Sequence, residues 1–288
     1  MENMEPNTPA TTITERLLAV QQRNNSHLCI GLDLDRRKLP KGISATPEGL
    51  LDFGRAIVEA TAEFGCCFKP NLAFWSAIGA ENHLARLFGF IRETTGMPAI
   101  LDGKYGDIGN TGEMQVVTAF ERFQADAVTV NASLGTDILD PWLNAGLEHL
   151  IFALCHTSNP GAAAFQEVIV REEDGTELAM FRRMAKSIMG CEKDGSARLG
   201  LVMGATFPKQ IGELVDLVPP STWLLIPALG KQGGDVLETM RWARQFNFVA
   251  NVSRAIHNAS DGADFAQAAA EKARQYRDQI NEALAAAA

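Results

Sequence analysis

The stretch Ala99-Ile100-Leu101-Asp102 runs into Gly103-Lys104-Tyr105-Gly106-Asp107, so a short apolar segment ends abruptly in carboxylates and an ammonium. A helical pattern over Thr111 to Phe123 follows, and then a second apolar run, Ala127 to Asn131. Apolar run, amphipathic segment and apolar run in that order form a βαβ unit, because parallel strands need a crossover of a dozen or more residues. The unit repeats in both directions along the chain. Strands are expected at Leu28 to Leu32, Cys66 to Pro70, Ala99 to Asp102, Ala127 to Asn131, Leu150 to Cys155, Leu199 to Met203, Trp223 to Pro227 and Phe248 to Val252. Helical patterns alternate with them at Pro47 to Phe64, Phe74 to Thr95, Thr111 to Phe123, Ile138 to Ala145, Glu177 to Cys191, Pro208 to Val218, Gly234 to Phe246 and Ala263 to Ala287. Strict alternation of this kind predicts an α/β fold with a parallel sheet, most simply closed as a (β/α)8 TIM barrel, with an open doubly wound sheet as the rival.

The 288 residues suit one such barrel, and no Gly/Ser linker divides them. Residues 1–12 are polar and rich in Thr and Pro, which predicts a flexible arm before a single barrel domain over 13–288. Thr12 followed by Glu15 predicts a capping box on a helix near Ile13 to Gln22. A net charge of -9 offers no basic surface for nucleic acid or anionic membrane. No apolar stretch reaches the roughly 18 to 20 residues of a membrane span, and Met1 to Pro6 lacks the regions of a signal peptide, so a cytoplasmic address is expected. The 5 cysteines form no CxxC pair, and the histidines show no ligand spacing, so neither a disulfide framework, a metal site nor a nucleophilic triad is indicated.

Active sites of these barrels lie at the C-terminal strand ends and in the loops that follow them. Those positions are rich in charge: Asp33 after the first run, Lys69 in the second, and Asp102, Lys104 and Asp107 around the third. Asp102 and Lys104 are two apart, so a strand continuing through them would direct both side chains inward. Partly desolvated charges persist there only if paired, and a lysine beside carboxylates stays protonated, which suits a donor of a proton to carbon. A purely structural ion-pair network is the plainer alternative. After the seventh run comes Gly230-Lys231-Gln232-Gly233-Gly234, a glycine-rich turn whose N–H groups could cradle an anion, and after the eighth comes Arg254, whose forked donor matches phosphate. The loops after strands seven and eight are the common phosphate site of such barrels. His156-Thr157-Ser158-Asn159-Pro160-Gly161, taken alone, could be a simple turn.

Taken together, Asp102-Gly103-Lys104-Tyr105-Gly106-Asp107-Ile108-Gly109-Asn110-Thr111 resembles the D-x-K-x-x-D-I-x-N-T signature of orotidine 5'-phosphate decarboxylases. Phe68-Lys69-Pro70-Asn71, Thr157 to Gly161, Gly204-Ala205-Thr206 and Gly230 to Gly234 resemble the longer, mycobacterial-type branch of that family, over about Leu28 to Ile256. The resemblance implies decarboxylation of orotidine 5'-phosphate (OMP) to UMP, the last step of de novo UMP synthesis, with no metal, flavin or nicotinamide required. It implies that Asp33 and Lys69 bind the ribose hydroxyls, that Asp102 faces the substrate carboxylate, and that Lys104 protonates C6. It further implies that Ser158 meets the pyrimidine, that Gln232, Gly233 and Arg254 hold the phosphate, and that Asp107, Ile108 and Thr111 reach the partner's site in a homodimer. Gly103 stands where the family usually carries a larger residue, Tyr105 where the long branch usually carries arginine, and Ala228 where a glycine is common. Asn131 to Gly135 also departs from that branch's usual turn. Two other readings compete: a magnesium-dependent sugar-phosphate decarboxylase or aldolase sharing the D-x-K-x-x-D core, and a non-catalytic nucleotide-binding barrel.

Overall fold

A computed structural model describes residues 12–192, 198–229 and 236–287. Its barrel strands are β1 (Leu28–Leu32), β2 (Cys67–Pro70), β3 (Ile100–Tyr105), β4 (Ala127–Val130), β5 (Leu150–His156), β6 (Leu199–Met203), β7 (Trp223–Pro227) and β8 (Asn247–Val252). They form one 8-stranded sheet in the order β2-β1-β8-β7-β6-β5-β4-β3, and every pairing in it is parallel. Parallel bridges Phe68↔Ala99 and Asn71↔Asp102 join the two ends, so the sheet is a (β/α)8 barrel rather than an open doubly wound sheet.

The strands are buried on both faces, which is why they read as continuous apolar runs and not as alternating ones. Leu28 to Leu32, Cys67 to Pro70 and Leu199 to Met203 are buried at every position. The outer layer is built from amphipathic helices with identifiable ends. Thr12 accepts the Glu15 N–H and Glu15 accepts the Thr12 N–H, so the expected capping box starts the first helix. Thr46 caps the helix Pro47–Thr61, whose first residue is a proline with no N–H to satisfy. Gly96, at φ +63, ends the helix Glu81–Thr95 in the left-handed region that glycine tolerates. The last helix, Phe265–Ala286, buries Ile280 and the small residues Ala269, Ala273 and Ala283, and packs on the helix Pro47–Thr61.

Five expected helices differ in extent, among them Ile138 to Ala145, which is α-helical only over Asp140–Leu143 after a 3-10 turn at Thr136–Leu139. The run Phe74 to Thr95 is split into Leu72–Ser76 and Glu81–Thr95, with Gly79 at φ +63 in the break. Thr111 to Phe123 starts earlier, at Gly109, and widens into a π-helix over Val117–Arg122. Only Pro208–Gly212 of the Pro208 to Val218 pattern is α-helical, and turns bury Leu214 and Val218 instead. In the Glu177 to Cys191 pattern the first residues form a strand: Ile169–Arg171 and Glu177–Ala179 make an antiparallel hairpin, and the helix runs over Met180–Met189.

Candidate active site

Three charged side chains meet at the C-terminal rim between β2 and β3. Lys69 Nζ donates to Asp102 Oδ2 at 2.5 Å, and Lys104 Nζ donates to Asp102 Oδ1 at 2.5 Å. Asp102 is 8% exposed, so its charge is nearly desolvated and both of its oxygens are engaged. Burial pushes the Asp102 carboxyl up, but Lys69 and Lys104 outweigh it and hold the group far below the ordinary carboxylate range. Burial likewise opposes charge on Lys69, yet Asp102 and Asp33 overcome it and keep the ammonium well above its ordinary value.

The route by which Asp102 and Lys104 meet differs from the expected one. Strand period alone does not bring them together, because β3 bulges: Leu101 pairs with Val128, and the next pair is Tyr105 with Val130. Lys104 itself lies at φ +47, a left-handed conformation for a non-glycine residue. Sequence reasoning also missed Thr129, which sits opposite the bulge, accepts the Lys104 N–H at 3.0 Å and donates to Asp102 Oδ1 at 3.1 Å. A threonine inside a strand reads as ordinary β-propensity, so nothing in its sequence context marked it.

Two cavities open from this centre. One, of about 550 Å³, is lined by Asp33, Lys38, Asn71, Asn251, Ser253 and Arg254 among others. Asp33 Oδ1 is sealed there and takes no hydrogen bond among the described residues. Arg254 stands exposed at the start of the short helix Arg254–His257, just after β8. A Cβ on Gly31 would stand 1.9 Å from Ser253 Oγ, so glycine there lets the β1 and β8 ends approach. Lys38 is a cation that sequence reasoning passed over, although its place in Arg36-Arg37-Lys38 after β1 could have flagged it.

The second cavity, of about 960 Å³, is lined by Asp102, Lys104 and Ser158 together with apolar residues such as Leu154, Met184 and Val202. Ser158 borders both cavities. Its loop is held from two directions. Gln166 Oε1 accepts the Thr157 N–H at 2.8 Å, and a Cβ on Gly204 would lie 2.8 Å from the Ser158 Cα, so only glycine admits the loop. Buried His156, at the end of β5, contacts Glu167 at 3.0 Å and tethers the same segment.

Asp33, Lys69, Asp102, Lys104, Ser158 and Arg254 therefore surround one connected space. Asp107, Ile108 and Thr111 do not line it; they lie at the start of the outward helix Gly109–Val116, with Ile108 54% exposed. Gln232 and Gly233, with the rest of the Gly230 to Gly234 turn, lie outside the described residues. Among the described residues no group of three or more His, Cys, Asp or Glu is placed to hold a metal ion, and no helix is long and apolar enough to cross a membrane.

A closed parallel barrel with a buried carboxylate between two lysines at its C-terminal rim has the architecture of a (β/α)8-barrel enzyme, whose active sites lie at that rim. Residues 26–270 match the model of the orotidine 5'-phosphate decarboxylase / HUMPS family, and the chain belongs to that family. An orotidine 5'-phosphate decarboxylase of Ralstonia pickettii is 43% identical over 274 residues, covering 93% of this chain and 98% of the relative. A crystal structure from Toxoplasma gondii bearing the orotidine-monophosphate decarboxylase name superposes with a TM-score of 0.84 at 29% identity, covering 96% of this chain and 97% of that one. The Leishmania donovani OMP decarboxylase superposes with a TM-score of 0.78 at 26% identity, covering 95% of this chain and 98% of that one.

Proposed function

We propose that this chain decarboxylates OMP to UMP and carbon dioxide through the Lys69–Asp102–Lys104 network, without a metal. The observation that carries the reading is that both oxygens of one buried carboxylate are taken by lysines, at 2.5 Å each. In the reaction the bond between C6 and the carboxyl carbon breaks, the electron pair stays at C6, and Lys104 Nζ supplies the proton that ends there. A fixed ammonium beside C6 stabilises the developing negative charge, and Asp102 disfavours the carboxylate of the ground state.

The remaining groups divide the substrate between them. Asp33 and Lys69 take the ribose hydroxyls, and the orphaned Asp33 Oδ1 is an acceptor suited to a hydroxyl donor. Ser158 meets the pyrimidine. Arg254, with Gln232 and Gly233, holds the phosphate, and its remote binding energy orients the ring. A homodimer belongs to the same reading: Asp107, Ile108 and Thr111 would complete the partner's site, and Ile108, Met114 and Val117 expose apolar surface beside them. A cytoplasmic location goes with it.

The test is loss of OMP absorbance by the purified protein in the presence of EDTA. Rapid turnover supports the reading. No turnover of OMP, together with magnesium-dependent turnover of a keto-sugar phosphate, contradicts it in favour of the sugar-phosphate branch of the same barrel family.

A further inference from the structure

The proton donor assigned above sits in an irregular piece of strand. On β3, three residues, Asp102, Gly103 and Lys104, lie between the paired Leu101 and Tyr105, while on β4 Thr129 alone lies between Val128 and Val130. The bulge shortens the path of Lys104 back to Asp102, but it puts Lys104 at φ +47. A left-handed conformation is strained for a non-glycine residue and persists only where the surroundings fix it.

Contacts fix it from two sides. Facing β4, Thr129 Oγ1 accepts the Lys104 N–H at 3.0 Å and gives its own proton to Asp102 Oδ1 at 3.1 Å. One hydroxyl thus ties the backbone of Lys104 to the same oxygen that its ammonium reaches. On the other side, the ring of Tyr105 lies over Gly103, where an added Cβ would stand 2.7 Å from Cε2, 3.0 Å from Cδ2 and 3.2 Å from Cζ. The ring has little room to retreat. It stacks on Trp142 at 5.7 Å between centroids and 25° between planes, and Trp142 is fully buried against Phe120. Gly103 and Tyr105, the two departures from the family pattern inside the signature, are therefore one feature: the small residue makes room for the ring.

We infer that Thr129 and the Gly103–Tyr105 contact form a two-sided clamp that positions the Lys104 ammonium, making them positioning residues for the proton transfer. The inference rests on Lys104 as proton donor, and its test separates the two. Thr129→Val removes the hydroxyl at nearly constant shape, Thr129→Ser keeps it, Gly103→Ala pushes on the ring, and Gly103→Ala combined with Tyr105→Ala removes the ring that is pushed.

Steady-state kcat and KM for OMP are measured for each variant, with thermal melting to confirm folding and crystal structures of Thr129→Val and Gly103→Ala. Misplacing a reacting group by about 1 Å can cost on the order of 100-fold, so Thr129→Val and Gly103→Ala should each lower kcat about 10- to 100-fold with KM nearly unchanged. Thr129→Ser should keep most of the activity, and the double variant, which lacks one jaw of the clamp, should stay impaired. In the crystals Lys104 should leave its left-handed conformation or its contact with Asp102. Wild-type kcat in Thr129→Val and Gly103→Ala, or full activity once the ring is removed, overturns the clamp and leaves the decarboxylase reading standing. Should the wild-type protein fail to turn over OMP, the decarboxylase reading falls, and the crystals still decide the clamp: an undisturbed Lys104 in both variants overturns it, and a displaced one supports it.

Discussion

Lys69 and Lys104 donate to opposite oxygens of Asp102 at equal distance, 2.5 Å, yet Lys69 is 4% exposed and Lys104 is 51% exposed. The two ion pairs share one carboxylate but not one environment. The inner pair is desolvated and bears on stability, whereas the outer lysine keeps contact with the cavity, where a substrate carbon could meet it.

Stability and turnover should therefore separate by residue. Asp102→Asn leaves the sealed Lys69 ammonium without its principal partner, a change that typically costs about 3–5 kcal/mol. Lys104→Ala removes a half-exposed partner while Lys69 still holds Asp102, and should cost less than about 1 kcal/mol. Chemical denaturation of the two variants checks this; a larger loss in Lys104→Ala than in Asp102→Asn would contradict the assignment of inner and outer roles.

The strand positions were legible in the sequence because each apolar run is buried on both faces, and every strand end that carries charge was visible from Asp33, Lys69, Asp102 and Arg254. Residues whose role depends on a partner strand were not legible. Thr129 has meaning only because β3 bulges opposite it, and a bulge leaves no periodicity to read. The hairpin Ile169–Arg171 with Glu177–Ala179 was hidden for a related reason. Only Leu178 of its six strand residues is buried, the apolar run Val168-Ile169-Val170 is too short to stand out, and Glu177 merged into the pattern of the following helix. Gly103 and Tyr105 looked like separate oddities until the ring was found above the glycine.

Acid should weaken the fold before it protonates the site. Burial, the largest influence in each case, lowers His27, His149, His156 and His257 below the ordinary 6.5. The unfolded chain then binds protons that the folded chain refuses, so stability is fully present above about 6.5 and declines as pH falls below it. Asp102 adds a second loss at lower pH: its carboxyl is depressed, so its contribution is present above the ordinary 3.8 and disappears as pH falls through the folded value. Lys69 is raised, so its contribution is present below the ordinary 10.5 and is lost only at strongly alkaline pH. Urea midpoints should fall from pH 7 to pH 5, and a flat or rising profile over that range would contradict the account.

Ala228 lies at φ +70, immediately after β7 and on the wall of the cavity that holds Arg254. Glycine adopts this conformation without strain, whereas alanine pays about 1–2 kcal/mol, offset in part by the greater entropy of unfolded glycine, about 0.5–1 kcal/mol. Ala228→Gly should raise the melting temperature by about 1–2 °C. A lower melting temperature would show that the alanine methyl packs usefully enough to outweigh its backbone strain.

Ile108 and Met114, at 54% and 59% exposure, flank the segment proposed to reach a partner subunit. Analytical ultracentrifugation should find a dimer, and Met114→Glu should shift it toward monomer by placing charge in an apolar contact. Activity per chain should fall in step with dissociation, because Asp107 and Thr111 would no longer complete the partner's site. A monomeric wild type with full activity would exclude that arrangement.

The most direct measurement compares kcat for OMP with UMP affinity in the wild type and in Lys104→Ala, both with EDTA present. General acid catalysis and charge stabilisation by one group together are worth on the order of 10,000-fold or more, so kcat in the variant should collapse by at least that factor. UMP should still bind within about tenfold, because the phosphate and ribose contacts proposed for Arg254, Asp33 and Lys69 remain in place. A Lys104→Ala protein that keeps kcat within about tenfold of the wild type would contradict Lys104 as the proton donor, and with it the central claim.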